Sequence, residues 1–269
     1  MSGRYISIED PEDPRLADYR DLPDASRRAR RDSFIAEGRL VVAALLAAPR
    51  FRVRSVLGTA SAVASLGEAL ERSATRVYVG PPETLERVVG FRFHRGCLAA
   101  GERPAGLGLD ALAGPAGRRV LVALEAVTNP DNVGGVFRNA MAFGADGVLL
   151  GPGCADPLYR RALRVSMGGA LVTPSATVPD WPAALARLRA AGFTIAALTP
   201  DPAAVDITAF GDAPERLVLL LGSEAKGLSA ASRAATDAQV RIAIAPGVDS
   251  LNVATAGGIA LHRLARVGR

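Results

Sequence analysis

Lysine is all but missing from this chain: Lys226 stands alone among 32 basic residues in a sequence of 269. Histidine is nearly as scarce. His94 and His262 are too few for a histidine-rich metal centre, and they leave little room for a histidine-dependent nucleophilic triad. The two cysteines, Cys97 and Cys154, form no CxxC pair, so they read as reduced structural thiols of a cytoplasmic protein rather than as a disulfide frame. GxSxG is absent, which argues against an α/β-hydrolase nucleophile, and GxGxxG is absent, which argues against an ordinary dinucleotide-binding fold. No apolar run is long enough to cross a bilayer, and the first residues lack the basic-then-apolar layout of a signal peptide.

What is present is arginine and apolar mass. About half of the residues are hydrophobic, enough for one large core or two ordinary ones. The net charge is +5, carried by a side chain whose planar fork suits phosphates and stacks on bases. Residues 1–118 hold 18 basic and 15 acidic side chains and residues 119–269 hold 14 and 12, so neither half is a basic tail. Arg27, Arg28, Arg30 and Arg31 cluster locally, either as a solvated helix start or as an RNA contact; Arg92 and Arg95 carry the same two readings.

Patterning divides the chain. Residues 1–20, rich in Asp, Glu and Pro, read as an extended lead-in. Helices are expected at 34–48, 62–72 and 82–89, with strands at 52–58 and 76–79, giving a small α/β unit. Residues 101–117, rich in Gly, Pro and Ala without a period, read as a linker. Continuous apolar runs follow at 120–127, 147–150, 193–198, 217–221 and 240–245, with helical patterns at 157–167 and 182–191 between them. Such runs are what a parallel sheet covered on both faces requires. The domains are therefore set at 1–105 and 119–269, with 106–118 between.

Three segments carry the chemistry. Residues 132–138 (Asn-Val-Gly-Gly-Val-Phe-Arg) follow a strand and open a helix that Asp131 or Asn132 can cap and Gly144 can end. On it Gly134, Gly135 and Arg138 share a face; either a phosphate approaches the bare backbone beneath the guanidinium, or the glycines serve tight helix packing and Arg138 is solvated. Residues 222–229 (Gly-Ser-Glu-Ala-Lys-Gly-Leu-Ser) follow another strand. The lysine precedes its glycine, so this is not a triphosphate loop. Residues 246–256 lead through Pro246-Gly247 into a final helix over 251–265 that Asp249 or Ser250 can cap and that is dense in small residues. Glycines, backbone amides, one fixed cation and small polar side chains suit a cofactor that brings its own reactive group.

In this order and spacing, the segments resemble the three motifs of the SpoU (TrmH-type) RNA ribose 2′-O-methyltransferases of the SPOUT superfamily. The first is carried by Asn132, Gly134 and Arg138; the second by Gly222, Glu224 and Gly227, with Ala225 where the family usually has glycine; the third by Pro246, Ser250, Leu251, Asn252 and Val253. The resemblance runs over residues 120–266. It implies an α/β fold in which a trefoil-knotted methyltransferase domain with a parallel sheet follows a small L30e-like RNA-binding domain. It implies a homodimer, S-adenosylmethionine as methyl donor, no metal, and RNA as substrate, 23S rRNA before tRNA. By position it implies cofactor contacts at Thr199, Gly222, Ile242, Leu251 and Asn252, and a catalytic set of Arg138, Glu224, Ser250 and Asn252. Asn132, Arg138 and the arginines at 27, 28, 30 and 31 fall to the substrate. Arg138 is a poor base, being always protonated; it is expected to hold a phosphate and stabilise charge on the 2′-oxygen. The competing readings are a non-catalytic RNA-binding protein of the same fold and a base methyltransferase.

Overall fold

The computed structural model describes residues 3–20, 22, 32–210 and 214–265; the cluster Arg27, Arg28, Arg30 and Arg31 lies outside the described residues. The chain forms two compact units, one of Met1–Ala105 with Leu158–Leu171 and one of Gly106–Pro157 with Val172–Arg269.

In the first unit the chain runs through β1 (Tyr5–Ser7), a 3-10 helix (Pro14–Tyr19), β2 (Ser33–Glu37), α1 (Arg39–Ala47), β3 (Val53–Gly58), α2 (Ala60–Ala64), α3 (Gly67–Glu71), β4 (Arg76–Val79), α4 (Pro82–Val89) and β5 (Cys97–Glu102). The sheet order is β1-β4-β3-β5-β2, with β1, β4 and β3 parallel and β5 antiparallel to both of its neighbours. The helix expected at 34–48 is split. All five residues of β2 are buried, with Phe34 edge-on to Phe51, and Gly38 turns the chain at φ 89° before α1 begins. Burial of every β2 residue leaves the strand no period-2 alternation, and only Glu37-Gly38-Arg39 separates it from the apolar residues of the helix, which is why the two were not separable by pattern. The helix expected at 62–72 is likewise two short ones, broken at Gly67 with φ 40°. The hydroxyl of Tyr19 donates to the Ser55 carbonyl at 2.8 Å, which satisfies the one polar atom of a fully buried ring.

The second unit opens with α5 (Leu109–Ala113), inside the stretch expected to be a linker. Leu109, Leu112 and Ala113, at helical spacing, enter the core beside Trp181 and Leu185. The Arg216 guanidinium then donates to the carbonyls of Ala113, Pro115 and Gly117. Three apolar residues among glycines and prolines were too few to show a period, yet they suffice to dock one turn.

From there β6 (Arg119–Glu125), α6 (Pro130–Ala142) and β7 (Gly147–Leu150) alternate. Leu158–Leu171 then departs to the first unit, carrying α7 (Arg160–Val165), shorter than the helix expected at 157–167, and the start of α8 (Gly169–Val172). The chain continues through β8 (Ser175–Thr177), α9 (Trp181–Ala190), β9 (Thr194–Leu198), β10 (Val205–Asp206), β11 (Arg216–Gly222), α10 (Ala230–Ala234), β12 (Ala238–Arg241) and α11 (Val253–Leu264). The order is β10-β12-β9-β11-β6-β7-β8, and every pairing is parallel. β11 and β6 pair over their full length, from Arg216↔Arg119 to Gly222↔Glu125, so they end side by side. β12 stops at Arg241 rather than 245, because its partners β9 and β10 end there.

Leu220 is completely buried at the centre of this sheet. Leu220→Ala is expected to lower the unfolding free energy of the unit by about 2–5 kcal/mol, read from urea denaturation.

Candidate functional site

Each of the three segments follows a strand of the parallel sheet, so all three emerge at its carboxyl edge, where open α/β sheets take their ligands. The local sequence explains how each is held.

The cap of α6 is Asn129, whose side chain accepts the Asp131 amide at 2.9 Å, not Asp131 or Asn132 as expected; Pro130, with φ already helical and no N–H to satisfy, takes the first position. Gly144 closes the helix at φ 65°. Released from capping, Asn132 turns inward and is buried. Gly135 is not open to a ligand: a Cβ there would stand 2.7 Å from the Ala254 Cβ, and one on Gly258 would stand 2.8 Å from the Asn139 amide nitrogen. Asn139 also donates to the Ala254 carbonyl at 2.7 Å. The bare face of α6 is thus filled by the small-residue face of α11, which answers the question that the glycine pair left open. Arg138 stays exposed and has no hydrogen bond or ion pair among the described residues.

The loop after β11 folds back on itself. The Gly227 amide donates to the Ser223 carbonyl at 2.7 Å, and Gly227 sits at φ 63°. A Cβ on Gly222 would fall 2.6 Å from the backbone carbon of Gly227, so the return is possible only with glycine at 222. Ala225 adopts a conformation open to any L residue, so the missing glycine there imposes no strain. This turn presents Glu224 to both neighbouring segments.

Asn252, not Asp249 or Ser250, caps α11: its Oδ1 accepts the amides of Ala254 at 3.0 Å and Thr255 at 3.2 Å. That fixes its amide orientation, because Nδ2 must then point away from the helix. Nδ2 donates to Glu224 Oε1 at 3.0 Å and to Asn132 Oδ1 at 2.8 Å, while Asn132 Nδ2 donates to Glu224 Oε2 at 2.6 Å. One carboxylate thus joins the three segments through two amides, each with both of its ends engaged.

Beside this triangle is a cavity of about 370 Å³, within the size range of small-molecule sites. Thr199, Gly222, Ile242 and Leu251 all border it, as do Ser250 and Glu224. Asn132, Asn252 and Arg138 are not in its wall; Glu224 is the residue common to cavity and triangle. Arg233 and Gln239 also reach the wall, and their motif-free surroundings gave no signal of it. Glu125, at the end of β6, accepts the Ser229 amide at 3.2 Å and was likewise not anticipated.

Burial pushes the Cys97 thiol up to about 11 and raises that of Cys154, so neither is poised as a nucleophile. Among the described residues, no group of three or more His, Cys, Asp or Glu side chains could hold a metal ion. The arrangement offers a pocket of apolar side chains and backbone edges, a fixed carboxylate and an unpaired guanidinium on the adjoining helix. Asn252→Ala removes a helix cap and both amide donations together. It is expected to cost about 1–2 kcal/mol in urea unfolding, the range for a lost cap, where Asn252→Asp, which keeps the cap acceptor, costs less of the helix signal.

The sequence profile of the SpoU rRNA Methylase family matches residues 119–262, the span that holds the whole site. An uncharacterized tRNA/rRNA methyltransferase of Mycobacterium tuberculosis is 42% identical over 265 residues, covering 96% of this chain and 91% of its own. A 23S rRNA (guanosine-2′-O-)-methyltransferase of Ralstonia nicotianae is 30% identical over 74% of this chain and 80% of its own. Among solved structures, an AdoMet-bound rRNA methyltransferase from Sinorhizobium meliloti superposes with a TM-score of 0.82 at 27% identity over 98% of both chains. The SpoU methyltransferase AviRb from Streptomyces viridochromogenes, in complex with AdoMet, gives 0.80 at 25% identity over 94% of this chain and 98% of its own. This chain belongs to the SpoU rRNA methylase family.

Proposed function

We propose that this protein transfers a methyl group from S-adenosylmethionine to a ribose 2′-hydroxyl of structured RNA, 23S rRNA before tRNA. The observation that carries this reading is the single cavity in which Thr199, Gly222, Ile242 and Leu251 meet, adjoining the Asn132–Glu224–Asn252 triangle. Its apolar walls and exposed backbone suit an adenine ring with a short polar tail. When bound, S-adenosylmethionine supplies an activated methyl group on its sulfonium sulfur.

The residues of the chain then have separable tasks. Arg138 holds the phosphate next to the target ribose and stabilises negative charge growing on the 2′-oxygen. Glu224, locked by the two amides, keeps the turn after β11 open to the cofactor and orients the acceptor. Ser250 and Asn252 place the ribose. The first unit, as an L30e-like domain, selects the RNA. Met141 on α6 and Ile259 on α11, both partly exposed apolar side chains, are available to a second copy in the homodimer that the family resemblance implies, together with the trefoil knot.

The test is transfer of labelled methyl to separated unmodified 23S rRNA, 16S rRNA and tRNA, followed by alkaline hydrolysis, which a 2′-O-methyl group blocks at one phosphodiester. Label in 23S rRNA at an alkali-resistant bond is the expected result; label in tRNA, or on a base, would overturn the assignment of substrate or position. Arg138→Ala should lower transfer by at least about 100-fold while calorimetric affinity for S-adenosylmethionine stays within about twofold of wild type.

A further inference from the structure

A second cavity, about 570 Å³, lies wholly within the first unit. Its border includes Glu37, Arg39, His94, Arg95 and Arg164. Glu37 is buried at the end of β2, with 8% of its side chain exposed. Three guanidiniums converge on it: Arg160 at 3.2 Å, Arg95 at 3.6 Å and Arg164 at 3.9 Å. The Arg160 guanidinium carbon lies 4.2 Å from the centroid of the Phe91 ring, so this arginine is engaged by both Glu37 and the ring. Arg95 and Arg164 keep 53% and 38% of their side chains in solvent.

The donor arithmetic does not close inside the protein. Three guanidiniums bring about fifteen N–H donors, and one carboxylate offers about four acceptor positions. Glu37 therefore cancels one charge at ion-pair distance, its buried Oε2 accepting no hydrogen bond among the described residues, and leaves most of the guanidinium donors directed elsewhere. Arg39, exposed at the first position of α1, adds a charge that Glu37 does not touch. The helix it opens has no side-chain cap, so its first amides add positive potential on the same side. Hydroxyls of Thr59 and Ser61 also border the cavity.

We propose that this groove binds backbone phosphates of the RNA substrate, as an anchor separate from the methyl-transfer site. The proposal rests on RNA being the substrate. Forked guanidiniums match phosphate oxygens in pairs, and hydroxyls beside them suit a ribose 2′-hydroxyl, which an acidic protein would not supply. Arg164 reaches the groove only because Leu158–Leu171 is inserted between β7 and β8, so the catalytic unit's own sequence contributes to the anchor.

The test uses the full chain and fluorescence anisotropy of labelled polyuridylate without S-adenosylmethionine, over a salt series. For single-stranded nucleic acid, each lost phosphate contact lowers the slope of log affinity against log salt by about 0.7, or about fivefold in affinity near 0.1 M salt. Arg39→Ala, Arg95→Ala and Arg164→Ala should each show that loss, and the triple variant on the order of 100-fold, with S-adenosylmethionine affinity unchanged. Arg39 is exposed and makes no ion pair with Glu37, so Arg39→Ala leaves that cluster in place and separates loss of charge from loss of the cluster. An unchanged salt slope in the triple variant, with wild type binding, would overturn the proposal; so would equal displacement of the RNA by polyglutamate. Failure of the methyltransferase reading shows separately, as wild-type protein that neither binds S-adenosylmethionine nor transfers its methyl group.

Discussion

A parallel sheet delivers the carboxyl end of every strand to one edge, and the site of this protein is a consequence of that constraint. β6, β11, β9 and β12 are neighbours in the sheet although they lie far apart in sequence. The full-length pairing of β6 with β11 brings Glu125 and Gly222 level. The loops that leave those strands have no choice but to meet. Their meeting is then made specific by glycine at 222, where any side chain would strike the returning backbone, and by the close approach of α6 to α11 at Gly135 and Ala254.

On that frame one carboxylate does the joining. Glu224 is exposed, so each of its hydrogen bonds is individually modest in water. Its effect comes from geometry. Asn252 can donate to it only because its other end is occupied by the amides of α11, and Asn132 can donate only because Asn129 took over the cap of α6. Local helix chemistry at two termini thus determines which polar atoms are left to hold Glu224, the residue that borders the cavity.

The strands of the second unit were legible because a sheet covered on both faces writes itself as unbroken apolar runs, as at residues 217–221. The motif residues were legible because their types and spacing match a family pattern, and the structure gathers Thr199, Gly222, Ile242 and Leu251 around one cavity. What could not be read was decided by tertiary contact. Whether Gly135 served a ligand or a helix depended on Ala254, more than a hundred residues away. The strand β2 hid inside an apparent helix because burial on both faces erased its alternation. The turn at Leu109–Ala113 hid in a stretch whose composition is that of a linker. Arg164 gave no signal at all, since its partner Glu37 lies in the other half of the sequence.

The excursion of Leu158–Leu171 bears on how this protein can be inherited and divided. The chain passes between the units three times, after Ala105, after Pro157 and after Leu171. A cut at the boundary that composition indicates would not release two self-sufficient modules. The fragment beginning at Gly106 would carry α7 away from the strand β2 it packs on, and the remainder would keep Glu37 buried without Arg160. Neither piece would keep all the contacts of its own unit, so a single recombination point at that boundary does not separate the two units.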